Sequence, residues 1–126
     1  MKMAAALALL VISTPALGQF DGIWATPTAQ EACAQLQRAE DAYHSGGGIL
    51  ALRGNRYISQ EEDCTFRLSR KSCCDDEGEE TRSGTLICGR QRLPIIFHRK
   101  GDALTVAIYD TGISGPSLHG YVRCRP

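Results

Sequence analysis

The sequence predicts a mainly β, single-domain protein, an antiparallel meander or small barrel with one N-terminal helix, stapled by disulfides. Three observations carry that reading. From Ile49 onward apolar residues recur with a period of two, and short turn signals separate the alternating runs. The chain has six Cys, an even number, all lying beyond a leader-like N-terminus. Its 126 residues allow one domain.

Composition excludes several classes. Fourteen Lys+Arg balance fourteen Asp+Glu, so the basic excess of a nucleic-acid binder is missing. Apolar content of 43% against 22% charged residues excludes a disordered chain. The length is too short for a dinucleotide-binding enzyme, a (β/α)8 barrel or an α/β-hydrolase.

Residues 1–18 read as a secretory signal peptide. Met1-Lys2 gives the positive start, Met3 to Ile12 the apolar stretch, and Ala16-Leu17-Gly18 the small residues of a cleavage site. An apolar run that short cannot cross a membrane, which needs about 20 residues. Cleavage after Gly18 leaves Gln19–Pro126 as one domain of 108 residues, net charge −1 once Lys2 is removed. The expected location is the bacterial periplasm or the exterior, with no membrane span.

The elements follow in order. Thr28 and Glu31 form a T-x-x-E capping box. Ala32, Leu36, Ala39 and Tyr43 then make an apolar stripe beside Cys33, predicting a helix that ends at Gly46-Gly47-Gly48. Gly54-Asn55 is a two-residue hairpin signal. Cys64, Phe66 and Leu68 alternate with Thr65, Arg67 and Ser69 as a half-buried strand, and Leu86 and Cys88 extend the same face. Lys100-Gly101 is read as the next turn, which sets Phe97 opposite Leu104, Ile95 opposite Val106 and Leu93 opposite Ile108. His119 to Arg125 forms the last strand. Seven or eight strands result, enough to curl into a barrel.

An exported chain with Cys33, Cys64, Cys73, Cys74, Cys88 and Cys124 reads as a disulfide protein. No C-x-x-C is present for a structural metal, so no metal and no cofactor is expected. Antiparallel pairing that sets Phe66 opposite Leu86 also sets Cys64 opposite Cys88 at bridging distance, which favours Cys64–Cys88. For the other four, Cys73 and Cys74 each joining Cys33 or Cys124, or a Cys33–Cys124 staple between helix and last strand, stay open.

Gly22-Ile23-Trp24 resembles the G-x-W opening of lipocalin-like barrels. That resemblance implies that Trp24 closes the barrel base beneath an Arg of the final strand, Arg123 or Arg125. In overall layout the chain is similar to small Cys-containing exported bacterial proteins of unknown function, which implies location and fold style only.

Catalytic patterns fail one by one. Asp75–Glu80 packs five carboxylates into six residues but lacks the alternating ligands of a calcium loop, and it reads as a solvated loop. Gly112-Ile113-Ser114-Gly115-Pro116 breaks G-x-S-x-G at its last position. His44-Ser45-Gly46-Gly47-Gly48 serves as a helix C-cap. No catalytic residues are assigned. On the expected outer face of the last hairpins lie Ile96, His98, Tyr109, His119 and Tyr121, with Arg99, Arg123 and Arg125 nearby, residue types common in protein interfaces. The competing expectation buries Ile96 beneath the Ala32–Tyr43 helix. The function expected is a non-catalytic binding module, within that class an inhibitor of an extracytoplasmic enzyme. The alternatives are a lipocalin-like carrier of a small apolar ligand and a small hydrolase using His98, His119 and the acidic loop.

Overall fold

The computed structural model describes residues 20–33, 35–36, 38–44, 47–60, 62–69, 76–110 and 115–124. The expected leader, Cys73 and Cys74, Asp75, Arg125 and the 112–114 part of the Gly112–Pro116 loop fall outside them. Eight antiparallel strands run up and down and close into a barrel: β1 (Gly22–Ala25), β2 (Ile49–Arg53), β3 (Arg56–Ser59), β4 (Glu62–Leu68), β5 (Glu79–Cys88), β6 (Gln91–Lys100), β7 (Ala103–Ile108) and β8 (Ser117–Arg123). The alternation of apolar side chains becomes an inner and an outer face. Trp24, Leu50, Leu52, Tyr57, Phe66, Leu86, Ile95, Phe97, Leu104 and Val106 fill the interior. Phe97 packs tilted against Phe20 at 5.5 Å and edge-on against Phe66 at 5.2 Å, ring centre to ring centre, so the lumen is a packed aromatic core.

The up-and-down order gives the barrel two ends. The base carries Phe20-Asp21, the Gly54-Asn55 turn, the Gly101-Asp102 turn and Cys124. The rim carries the turn at Gly89-Arg90 and the ends at which β1, β3 and β7 stop.

Gly54-Asn55 forms the expected two-residue hairpin, with Arg53 opposite Arg56 and Gly54 at φ 61°. β4 pairs with β5 in the expected register, Phe66 opposite Leu86. The β6–β7 register differs from the expectation. Phe97 faces Val106, Ile95 faces Ile108, and Arg99 rather than Phe97 faces Leu104. The turn is Gly101-Asp102 between paired Lys100 and Ala103. Gly101 takes φ 60°, a left-handed conformation that Lys100 would adopt only with strain, so the hairpin slides by two residues and every side chain keeps its face.

The single N-terminal helix is not formed as expected. Two 3-10 segments, Pro27–Ala29 and Ala39–His44, flank a four-residue α-helical turn, Gln30–Cys33. Thr28 makes no cap. Its hydroxyl meets that of Thr26 at 3.2 Å, and Thr26 itself occupies the cap position without a side-chain cap bond. Cys33 is bonded to Cys124 of the chain end, Cα to Cα 5.9 Å, and this tether holds the segment flat against the wall. It covers Ile23, Ala25, Ile49, Ala51 and Ile58 on the outer face of β1–β3. The segment therefore lies away from Ile96 on β6, contrary to the expectation that Ile96 packs beneath it.

Gly84 marks a tight approach. A Cβ built there would sit 1.9 Å from the Arg67 carbonyl oxygen, so β4 and β5 close up only around a glycine.

Candidate functional site

At the base, β1 and β8 bring Trp24 and Arg123 directly opposite one another. The Arg123 guanidinium carbon stands 4.2 Å from the centre of the Trp24 ring. Its Nη1 donates to the Asp21 carbonyl at 2.8 Å, and its Nε donates to Asp102 Oδ1 at 3.2 Å. The indole Nε1 donates to the Phe20 carbonyl at 3.0 Å, so the fully buried Trp24 leaves no polar atom unsatisfied. Gly22 explains its own place in G-x-W. It adopts φ 142°, and a Cβ there would lie 2.6 Å from Arg123 Nη1. The cation thus seals the barrel floor in the space that glycine leaves.

A second base feature was missed in sequence. Glu80 is 1% exposed and Arg82 7%, so the acidic run is not wholly a solvated loop. Its last two residues enter β5, where i and i+2 share the inner face. Arg82 Nη1 donates to Glu80 Oε2 at 3.1 Å, while its Nε at 2.7 Å and its Nη2 hold the Ser69 carbonyl. The signal was present as Glu-x-Arg at strand spacing.

Higher in the lumen, Tyr57 of β3 and Tyr121 of β8 are hydrogen-bonded through their hydroxyls, with Glu62 close by. Burial, then the neighbouring Tyr121 and Glu62, hold the Tyr57 phenol well above the ordinary tyrosine range. Burial and Glu62 also raise Tyr121, partly offset by the bond from Tyr57.

The five residues of the expected binding surface are dispersed. Tyr121 and Arg99 pair with the core residue Leu104 from either side and so share its inward face. His98 faces outward on β6, with Nε2 3.5 Å from Glu79 Oε1. His119 pairs with the core residue Val106, on the inner side of β8, yet lies exposed toward the rim. Tyr109 follows β7 and donates its backbone N–H to the Pro94 carbonyl at 3.0 Å. The barrel wall therefore separates His98 from His119. Among the described residues no group of three or more His, Cys, Asp and Glu is arranged to hold a metal.

Among the described residues two staples lock the frame. Cys64–Cys88 bridges β4 to β5, Cα to Cα 4.7 Å, and Cys33–Cys124 ties the helical segment to the end of β8. Gln30 adds a clasp where β1 stops: its Nε2 donates to the carbonyls of Ala25 and Val122, both at 3.1 Å. No helix among the described residues is long and apolar enough to cross a membrane. No protein-family model matches this chain, and no curated protein or solved structure matches it either.

Proposed function

We propose that this is an exported, disulfide-stabilised binding module without catalytic activity, acting on a protein partner as an inhibitor of an extracytoplasmic enzyme. The observation that carries the reading is the filled lumen. Phe97 packs between Phe20 and Phe66, and the Trp24–Arg123 pair plugs the base. A small apolar ligand would have to displace aromatic side chains that are already in contact, which costs packing as well as burial. Recognition therefore belongs to the outside of the barrel.

Rigidity supports the same reading. Both staples and the floor fix the surface before binding, so little conformational entropy is lost in a complex. The hydrolase reading needs His98, His119 and the acidic run in one pocket; His98 meets Glu79 of that run on the outer face near the base, but His119 lies on the inner side of β8 toward the rim. The leader-like residues 1–18 and the cross-linked cysteines support export.

The test is chemical cross-linking in intact cells, followed by recovery of the oxidised protein from outside the cytoplasm and rebinding of the captured species after purification. A single stoichiometric enzyme whose activity falls on rebinding agrees with the proposal. Recovery with a bound apolar small molecule and no protein would overturn it in favour of the carrier.

A further inference from the structure

β8 is longer than the strand it closes against. β1 pairs with it only at Trp24↔Arg123 and Ala25↔Val122, whereas β7 pairs along the whole of Ser117–Val122. The hydrogen-bond parity of this strand is settled by two bonds. Arg123 donates its N–H to Asp102 on the β7 side, and Cys124 donates to Ile23 on the β1 side. Odd-numbered residues of β8 thus bond to β7, and Leu118 and Gly120 direct N–H and C=O the other way, where β1 has already ended. Ser117 to Gly120 are all exposed, and Leu118 is 67% exposed.

Strand edges in monomers are normally guarded by Lys, Pro, a bulge or a covering loop. Ser117–Val122 contains no Lys, no Pro and no carboxylate. The outer face beside this edge is free of charge as well, made of Ala103, Thr105 and Ala107 on β7 with Leu118, Gly120 and Val122 on β8. We infer that the open edge of β8 is covered by a second copy of this chain, paired antiparallel through Leu118 and Gly120 about a twofold axis beside His119.

Charge and shape select that occupant. A twofold contact sets each patch against itself, so any charge on it would face its own twin. This patch holds no Lys, Arg, Asp or Glu, and the mature chain's net charge is only −1, so two copies approach with little repulsion. An acidic or basic partner gains nothing here. In the register Leu118 opposite Gly120, every open backbone group of both residues finds a partner, while the Val122 carbonyl keeps its bond from Gln30. The same register lays the Leu118 side chain over Gly120 of the other copy, where a would-be Cβ meets nothing within 4 Å. The inference stands apart from the enzyme-binding reading, since it concerns the chain with itself.

Sedimentation velocity of the mature, oxidised protein over a concentration series tests it, together with amide hydrogen exchange at Leu118 and Gly120. The expected result is a reversible dimer in which those two amides exchange more slowly as concentration rises. Leu118→Lys, at a side chain with no part in the core, should weaken dimerisation by more than about tenfold, because it buries a charge at the contact. Its circular dichroism and unfolding midpoint at monomeric concentration should match those of the parent. A monomer at every concentration overturns the inference. So does a dimer that survives Leu118→Lys or leaves both amides unprotected.

Discussion

Replacing Arg123 by Met keeps the aliphatic bulk over Trp24 and removes everything else that closes the floor. The cation over the indole contributes about 1–2 kcal/mol at a partly desolvated site. The bond to the Asp21 carbonyl, made by a charged donor, contributes about 1.5–3 kcal/mol. The pair with Asp102 adds about 0–1 kcal/mol, since that carboxylate is exposed. Arg123 is itself 30% exposed, so these figures are screened and do not simply add. A loss of roughly 2–4 kcal/mol is expected, which for a domain of this size lowers the melting temperature by roughly 10–20 °C. The assay is urea unfolding of the oxidised protein followed by far-ultraviolet circular dichroism. That signal avoids any direct effect of the missing guanidinium on Trp24 fluorescence. Arg123→Lys retains a charge and loses the fork, so it should fall between parent and Met variant. An Arg123→Met protein within about 0.5 kcal/mol of the parent, the range of an ordinary surface change, would refute the floor-sealing role.

Three further outcomes follow from the geometry. Gly84→Ala should cost about 3 kcal/mol or more in the same unfolding assay, or fail to fold, because its Cβ would overlap the Arg67 carbonyl oxygen. Replacing Cys33 and Cys124 by Ala should destabilise by about 4.6 kcal/mol, against about 3.5 kcal/mol for Cys64 and Cys88, as loop-closure entropy grows with loop length. The loops in question have sequence separations of 91 and 24, and paired denaturation curves of the two double variants read the difference. Tyr57 and Tyr121 are held above the ordinary tyrosine value, so the folded state keeps protons that the unfolded chain gives up. Their contribution is full below about pH 10, the unfolded value, and is lost as pH rises toward the folded values. Tyr57→Phe should flatten this alkaline loss of stability, measured by denaturation at a series of pH values.

Side-chain parity made much of the fold legible. Cys64–Cys88 could be read because Phe66 and Leu86 share its face, and a single register satisfies both pairs. Parity says less about sliding by two, which preserves every face, and the β6–β7 hairpin was misplaced by that interval. Its register depended on which residue could accept a positive φ, and Gly101 decided it. The helix was misread for another reason. Thr28, Glu31 and the stripe to Tyr43 are local signals, while Cys33–Cys124 and the apolar outer face of β1–β3 act from a distance. The base site was half visible. Trp24 and a last-strand Arg followed from the G-x-W resemblance, but Asp21 and Asp102 met Arg123 only through closure of the barrel. Glu80 and Arg82 were hidden by composition, since a run of acids reads as solvent-facing even when its end enters a strand.

The central claim, a cross-linked solid barrel working outside the cytoplasm, is tested most directly by mass-spectrometric peptide mapping without reductant. The sample is the protein recovered from the periplasm or the medium. The expected map shows an N-terminus at Gln19 and, among its linkages, Cys33 to Cys124 and Cys64 to Cys88. Reduced thiols at those four positions, or an intact leader on protein confined to the cytoplasm, would contradict the account.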